Sequence, residues 1–407
     1  MKCRGCGVPL HLCLIDLGTA PPSNAYLGVD QLDQAESWVP LRVMVCEACW
    51  LVQTEDYRSA DTLFDPTYAY FSSYSSSWLE HARCYVDTMI ARFGLSRDSC
   101  VVEIAANDGY LLQYVAAADI PCLGVEPTAS TAAVARARGL EIRERFFGVG
   151  VADELRAQGW AADLMVANNV LAHVPDINDF LQGFSRLLKA NGVVTFEFPH
   201  LLKLIESHQF DTLYHEHYSY LSLLSVQLLC QRNGLSIFDV EELPTHGGSL
   251  RVFAQRDSAD RLPSEAVGAL MQCERDAGMT HADYYATLAP AAQRIKHDLL
   301  RFLLQCQKEG KRVAAYGAAA KGNTLLNYAG VREDLLSWVA DISPHKQGKF
   351  LPGSRIPIVS PERINDEQPD YLVILPWNLL DEVMHQQAGI RDWGGRFVVA
   401  IPELRIL

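Results

Sequence analysis

No stretch of this 407-residue chain is long and apolar enough to cross a bilayer. The longest apolar runs, such as Tyr371 to Pro376, fall far short of the roughly 18–20 residues a spanning helix needs. The opening stretch MKCRGCGVPLHLC has no long apolar core and no small-residue cleavage site, so no secretory leader is expected and the cytoplasm is the expected compartment. Positive charge is scarce. Thirty-five basic side chains face 49 acidic ones, a formal net charge of −14. Such a chain repels nucleic acid and anionic lipid in bulk, and neither is an expected partner. An anionic small molecule needs only a local gathering of cations. Also missing are the G-x-G-x-x-G of dinucleotide folds, the Walker P-loop and the H-E-x-x-H of zinc hydrolases. An apolar share of 49% with 21% charged residues excludes a disordered or collagen-like chain, and the length suggests two or three domains.

What is there begins with cysteine. In a reducing compartment disulfides are not expected, so close pairs suggest metal or redox chemistry. Cys3-Arg-Gly-Cys6 and Cys46-Glu-Ala-Cys49 can present four thiolates tetrahedrally, as closed structural zinc sites do. Residues 1–70 are too few for a large core, and a metal would supply the missing stability. Gly18, Pro21, Pro22 and Gly28 mark the intervening segment as loops and short strands. A redox C-x-x-C is the alternative, disfavoured because neither pair opens a helix after a strand. Cys13 is a spare ligand of poorer spacing; the other six cysteines read as core residues.

From Cys100 the pattern becomes strand, turn, helix, strand. Cys100 to Ala105 is apolar, Ala106-Asn107-Asp108-Gly109 turns, Tyr110 to Ala118 is helical, and Cys122 to Glu126 ends in an acid. This is half of a doubly wound sheet, and an acid at the end of the second strand can accept both ribose hydroxyls of a nucleoside. The turn lacks the glycines a diphosphate requires. With Glu103 and Asp108 nearby, it suits a cationic sulfonium such as S-adenosylmethionine (SAM); a nicotinamide cofactor or no nucleoside at all are the alternatives. Strands at Ala162–Asn168 and Gly192–Phe198 and an amphipathic helix at Ile177–Leu188 continue the pattern. Asn107, Asp108, Glu126, Asn168, His173 and His200 then share the crevice at the strand ends.

The segment Phe210 to Tyr220 packs two histidines, three tyrosines and two acids into eleven residues. Imidazole titrates near neutrality, a tyrosine hydroxyl can donate to an enolate oxygen, and a carboxylate can orient an imidazole, so proton abstraction is the expected chemistry. A metal site and a satisfied structural cluster are the alternatives. After residue 255 a second Rossmann-like unit follows, with a helix at Tyr284–Lys308 and strands at Arg312–Gly317, Leu336–Asp341 and Tyr371–Leu375. Its loop, Ala318 to Thr324, sets Lys321 beside helix-start amides, which suits a phosphate or diphosphate; a solvated turn is the bland alternative. The turn Thr245 to Arg251 adds His246 and a second candidate cation, Arg251.

Taken together, CRGC with CEACWLVQ, TYAYFSSYSSSW, VEIAANDGYLL, GVEPTAS, NNVLAHVPD, YHEHYSYLS, THGGSLRVF, YGAAAKGNTLLN and DISPHKQGKFLPGSRIPI resemble the SAM-dependent C-methyltransferases of nucleotide-activated deoxysugars. Ala105 stands where these enzymes often carry glycine. The resemblance implies an α/β protein of three domains: zinc-binding (1–70), class I methyltransferase of Rossmann-like fold (71–255) and C-terminal Rossmann-like, gripping the nucleotide sugar (256–407). It implies His217 as general base beside Tyr214 and Glu216, with His173 and Tyr68 lining the pocket. Glu103, Asn107, Asp108, Gly109, Glu126 and Asn168 would face SAM. Lys321, Asn323, Arg251, His246 and Tyr316 would meet the substrate, and Cys3, Cys6, Cys46 and Cys49 would hold zinc. The implied reaction methylates a nucleotide-diphosphate 4-keto-deoxysugar, thymidine being the commonest base, at the 3-carbon through an enolate. A nicotinamide-dependent sugar oxidoreductase and a non-catalytic zinc protein are the alternatives. Three domains enclosing one cleft need no partner subunit, so a monomer is expected.

Overall fold

The computed structural model describes residues 1–57 and 71–407. Tyr68 lies outside the described residues. Among the described residues no helix is long and apolar enough to cross a membrane.

Three sheets organise the chain. The first runs antiparallel through β1 (Leu12–Ala20), β2 (Val39–Val45) and β3 (Val52–Thr54). β1 has nine residues, longer than the short strands expected, and two register shifts against β2 let it bend. The second sheet holds β4 (Val101–Ile104), β5 (Cys122–Val125), β6 (Ile142–Arg143), β7 (Ala162–Asn168) and β8 (Leu188–Pro199), all parallel. The chain then returns to the first sheet for β9 (Ser219–Tyr220), which pairs with β3. β10 (Leu235–Leu243) and β11 (Ser249–Arg256) complete the second sheet antiparallel beside β8, in the order β10-β11-β8-β7-β4-β5-β6. The third sheet holds β12 (Val313–Tyr316), β13 (Val339–Ala340), β14 (Ile358–Val359), β15 (Tyr371–Ile374), β16 (Arg396–Val399) and β17 (Arg405–Ile406), in the order β14-β13-β12-β15-β16-β17. All its pairings are parallel except the last.

β4 and β12 are the switch points. The chain leaves each toward one side of the sheet and later returns on the other, opening a crevice at the strand's carboxyl end. The parallel strands are buried on both faces, which is why β4 reads as a continuous run with all four residues buried. Helix Ile177–Leu187 buries Ile177, Phe180, Leu181, Phe184 and Leu187 on one stripe, and the Asp176 carboxylate caps it by accepting from Asp179 N at 3.0 Å.

The expected helix at 284–308 is broken. Helix Ala282–Tyr285 ends, and a new one, Leu288–Lys308, begins. Pro290 explains the break: within a helix starting at 284 it would remove an interior hydrogen bond, whereas in the first turn its missing N–H is not needed. The expected strand at 336–341 shortens to Val339–Ala340. Helix Leu288–Lys308 buries Leu288, Ile295, Leu299 and Leu303 in one core with Leu14, Ile15, Val43 of the first sheet and Val313 of the third. Each such residue contributes about 1.5–3 kcal/mol. The N-terminal region thus shares a core with the C-terminal one, while its cysteine end packs with Phe184, Leu229 and Cys230 of the central region.

His200, expected in the crevice, is instead buried under it. Its Nε2 bonds Glu274 Oε1 at 2.7 Å, and the same carboxylate accepts from Leu223 N and Leu224 N at 2.7 and 2.8 Å, the open start of helix Leu223–Arg232. Glu274→Ala would strand three buried partners. We expect it to lower unfolding stability by about 3 kcal/mol, read as a shift in urea midpoint; an unchanged midpoint contradicts this account.

Candidate functional site

The two cysteine knuckles close on each other. Cys3 Sγ lies 3.6 Å from Cys49 Sγ, Cys6 Sγ lies 3.5 Å from Cys46 Sγ, and all four sulfurs fall within 4.8 Å. Four thiolates about 2.3 Å from one zinc ion stand about 3.8 Å apart, so the set fits a tetrahedral Zn(Cys)₄ centre. Donation from Cys49, and then from Gln53 Nε2 at 3.2 Å, draws the Cys3 thiol down to about 4 despite burial. Cys13 is exposed and outside the cluster.

A single cleft of about 610 Å³ runs past both switch points. At one end are Asn107, Glu126 and Asn168. Ala105 and Asn107 adopt left-handed backbone angles (φ 58° and 49°), a conformation that costs an L-residue about 1–2 kcal/mol and is kept where the chain must turn sharply beside a ligand. Gly109 (φ 81°) does not line the cleft. A Cβ there would come within 2.3 Å of Leu140 Cδ1, so its part is to let the turn pack. Glu126 accepts from Asn107 N and Thr128 N, each at 2.9 Å, which fixes its carboxylate at the end of β5. Among the described residues neither amide atom of buried Asn168 has a protein partner, the sign of a wall built for a polar ligand. This donor and acceptor set fits the nucleoside and amino-acid parts of SAM.

The expected acidic field is weaker than its residues imply. Glu103 and Asp108 do not line the cleft. Burial pushes the Glu103 carboxyl well above its ordinary value, which disfavours its charged form, and Asp108 Oδ2 accepts from Ser73 N at 3.3 Å with Arg138 at 3.6 Å. The acids that do line the cleft are Glu126, Asp176 and Asp179.

At the centre stand Tyr214, His217 and His173. His217 Nδ1 donates to Thr212 O at 3.1 Å, leaving Nε2 to accept from the Tyr214 hydroxyl at 2.8 Å. His173 Nδ1 donates to Glu216 O at 2.8 Å, and the two imidazoles meet edge to face at 4.6 Å. Burial holds His217 well below 6.5, reinforced by His173, and takes His173 to about 4, so both rings are neutral near pH 7. The Glu216 carboxylate does not touch His217. It accepts from Asn24 N and Nδ2, each at 3.2 Å, and only its backbone carbonyl serves the site, by orienting His173.

The far wall comes from the third sheet. Lys321 and Lys346 line it beside Ala319 and Ala320, where helix Ala320–Ala329 begins. Lys321 Nζ donates to Asn378 Oδ1 at 2.8 Å and lies 4.5 Å from the Trp377 ring centre. His246 (φ 55°) joins the lining, 3.4 Å from Asn169 Nδ2 and 5.3 Å from the Trp78 ring. The remaining substrate candidates stand outside it. Arg251 is buried between Glu197 and Glu241 at 3.0 and 3.1 Å, neutralised on both sides. Asn323 Nδ2 donates to Ser23 O at 2.5 Å and the Tyr316 hydroxyl to Gln386 at 3.2 Å, both structural ties.

Comparison with known proteins decides the family. The zinc binding domain of methyltransferases matches residues 3–64, the methyltransferase domain 78–240, and the C-methyltransferase C-terminal domain 244–402. C-methyltransferase NovU of Streptomyces niveus is 36% identical over 406 residues, covering all of this chain and 96% of the relative. The chain belongs to the SAM-dependent C-methyltransferases. Among solved structures, a SAM-dependent methyltransferase from Anabaena variabilis is 13% identical with a TM-score of 0.38, covering 49% of this chain and 96% of that one. Magnesium protoporphyrin IX methyltransferase from Synechocystis is 15% identical with a TM-score of 0.34, covering 44% and 79%.

This C-methyltransferase therefore uses SAM and carries a four-cysteine zinc site, and it is neither an oxidoreductase nor a scaffold. Sequence reasoning did not single out the cleft residues Asn24, Trp78, Asn169 and Lys346, although the last three lie within quoted motifs. Phe146 and Phe147 were findable, as an aromatic pair just after a strand. For the zinc centre we expect one zinc per chain by elemental analysis. Cys46→Ser, removing a fully buried ligand, should lose the metal and destabilise the protein; retention of full zinc content would exclude Cys46 as a ligand.

Proposed function

We propose that this C-methyltransferase acts on a nucleotide-diphosphate 4-keto-deoxysugar and methylates a carbon next to the ketone, the 3-carbon, through an enolate. The single observation that carries the reading is that one cleft is lined together by Asn107, Glu126 and Asn168 at the ends of second-sheet strands, by the imidazoles of His173 and His217, and by Lys321 and Lys346 of the C-terminal region. Carbon becomes nucleophilic only after losing a proton, and an adjacent ketone acidifies that C–H by moving charge to oxygen. His217 is the base: its Nδ1 proton is tied to Thr212 O, its Nε2 carries the lone pair, and burial keeps it neutral. Tyr214, bonded to that Nε2, lies where it can pass a proton on. His173 Nδ1 is engaged with Glu216 O, which sets the tautomer of the neutral ring so that its Nε2 is an acceptor. Asn107, Glu126 and Asn168 would hold SAM. When bound, SAM supplies a methyl group made electrophilic by its positive sulfur. The anionic end of the substrate goes to the far wall, where Lys346 and the first amides of helix Ala320–Ala329 face the cleft beside Lys321.

His217→Asn should abolish both methyl transfer and solvent deuterium exchange at the acidified carbon of a nucleotide 4-keto sugar, while SAM still binds by calorimetry. Undiminished exchange removes His217 from the base role. The pH profile follows from sign. A base must be neutral, and His217 stays neutral below the ordinary imidazole value of 6.5, so the acid limb of kcat/KM should fall below 6.5; a limb above that value contradicts the assignment.

A further inference from the structure

An enolate needs a donor at its oxygen, and the central groups are turned the other way. Both imidazoles spend their Nδ1 protons on backbone carbonyls, and the Tyr214 hydroxyl gives its proton to His217. Deprotonation of a carbon beside a ketone places a full negative charge on oxygen among buried, neutral rings, where a fixed cation is worth far more than in water.

Three cations compete for that part: Arg251 and Lys321, which the sequence offered, and Lys346, which the cleft lining adds. Arg251 is spent on two carboxylates outside the cleft. Lys346 donates to Ala318 O at 2.9 Å, with Asp341 at 3.5 Å. Lys321 differs from both. It is half-buried in the cleft wall, and among the described residues no carboxylate is bonded to it. One of its three N–H bonds goes to a neutral amide, Asn378, and its charge sits against the Trp377 indole. The nearby acid, Asp211, acts on Lys321 through space without bonding it, and its Oδ2 accepts from the Trp377 Nε1 at 2.8 Å. Lys321 lines the same cleft as His217 and His246.

We infer that Lys321 is a catalytic residue that hydrogen-bonds the substrate's keto oxygen and stabilises the enolate, leaving Lys346 and the helix start to hold the diphosphate. The inference rests on the enolate reading above. In the step it serves, the C–H electron pair becomes the C=C bond, the carbonyl π pair moves to oxygen, and the proton passes to the Tyr214 oxygen as the Tyr214 hydroxyl proton moves to His217 Nε2. Lys321 keeps its own proton throughout.

The test compares full-length, zinc-loaded wild type with Lys321→Met and Lys321→Arg. The probe is a thymidine-diphosphate 4-keto-deoxysugar. The measurements are kcat, KM and deuterium uptake at the acidified carbon in D₂O with S-adenosylhomocysteine present. In Lys321→Met, kcat and exchange should fall together by about 100-fold with KM changed less than about threefold, and Lys321→Arg should recover part of both. A diphosphate clamp gives the reverse, a KM raised about tenfold or more with saturated exchange intact, and that result overturns the inference. Lys321→Gln supplies the same comparison where the methionine variant loses zinc or SAM binding. Wild type that neither exchanges nor methylates this probe defeats the substrate reading itself, a failure distinct from that of Lys321.

Discussion

The backbone of Asp211–Tyr220 is hydrogen-bonded to all three parts of the protein, and the chemistry depends on that restraint. From the N-terminal sheet, Thr54 Oγ1 donates to His217 O at 3.0 Å and Thr54 N to Tyr218 O at 3.2 Å, while His215 Nε2 reaches Pro40 O at 3.2 Å. From the C-terminal region, Thr324 Oγ1 donates to Leu213 O at 2.9 Å and Trp377 holds Asp211. From the central region, His173 donates to Glu216 O. A ten-residue segment without such anchors would sample many backbone states at about 1–2 kcal/mol of lost entropy per residue on ordering. Here the ordering is met by strand pairing and core formation elsewhere in the molecule, and the His217 imidazole, the proposed base, has its tautomer already set. Preorganisation of this kind lets a side chain act without reorganising at the moment of reaction.

The restraint also buries the site, and burial works against charge of either sign. It takes His173 and His246 to about 4, lifts Asp211 to about 6, and raises Glu216 and Glu103. A chain with a net charge of −14 thus encloses a centre close to neutral. The consequence is a trade. A depressed imidazole is available over a wide pH range but is a weaker base. The proton must then be loosened by the ketone and by whatever meets its oxygen, so a base of this type requires an electrostatic partner on the substrate's other side.

What the sequence made legible was local. β4, β5, β7, β12 and β15 lie within the expected apolar runs, and helix Ile177–Leu187 follows its own periodicity, because burial on both faces or on one stripe leaves its mark in consecutive residues. The two C-x-x-C pairs carry their geometry in their spacing. What was not legible was set across the fold. β9 has two residues and exists only because β3 is beside it. Arg251 read as a free cation until the register placed it opposite Glu197 on β8 and Glu241 on β10. Glu216 sits beside His217 in sequence, yet in a turn neighbours point apart, and its carboxylate serves Asn24.

The metal centre, remote from proton transfer in chemistry, is tied to it in structure through Arg4, which lies between the zinc ligands Cys3 and Cys6. Its backbone N–H donates to Gln53 Oε1 at 2.9 Å, and Gln53 in turn donates to Cys3 Sγ. Its guanidinium reaches Pro175 O at 3.1 Å and Thr54 O at 2.9 Å and lies 5.2 Å from the Tyr218 ring centre. Pro175 is two residues from His173, and Thr54 and Tyr218 flank His217. A knuckle loosened by metal loss would therefore release the same groups that fix both imidazoles. Zinc held by the four cysteines would do for position what the neutral, buried surroundings do for protonation: each would set one of the two conditions that the proposed base, His217, requires before a substrate arrives.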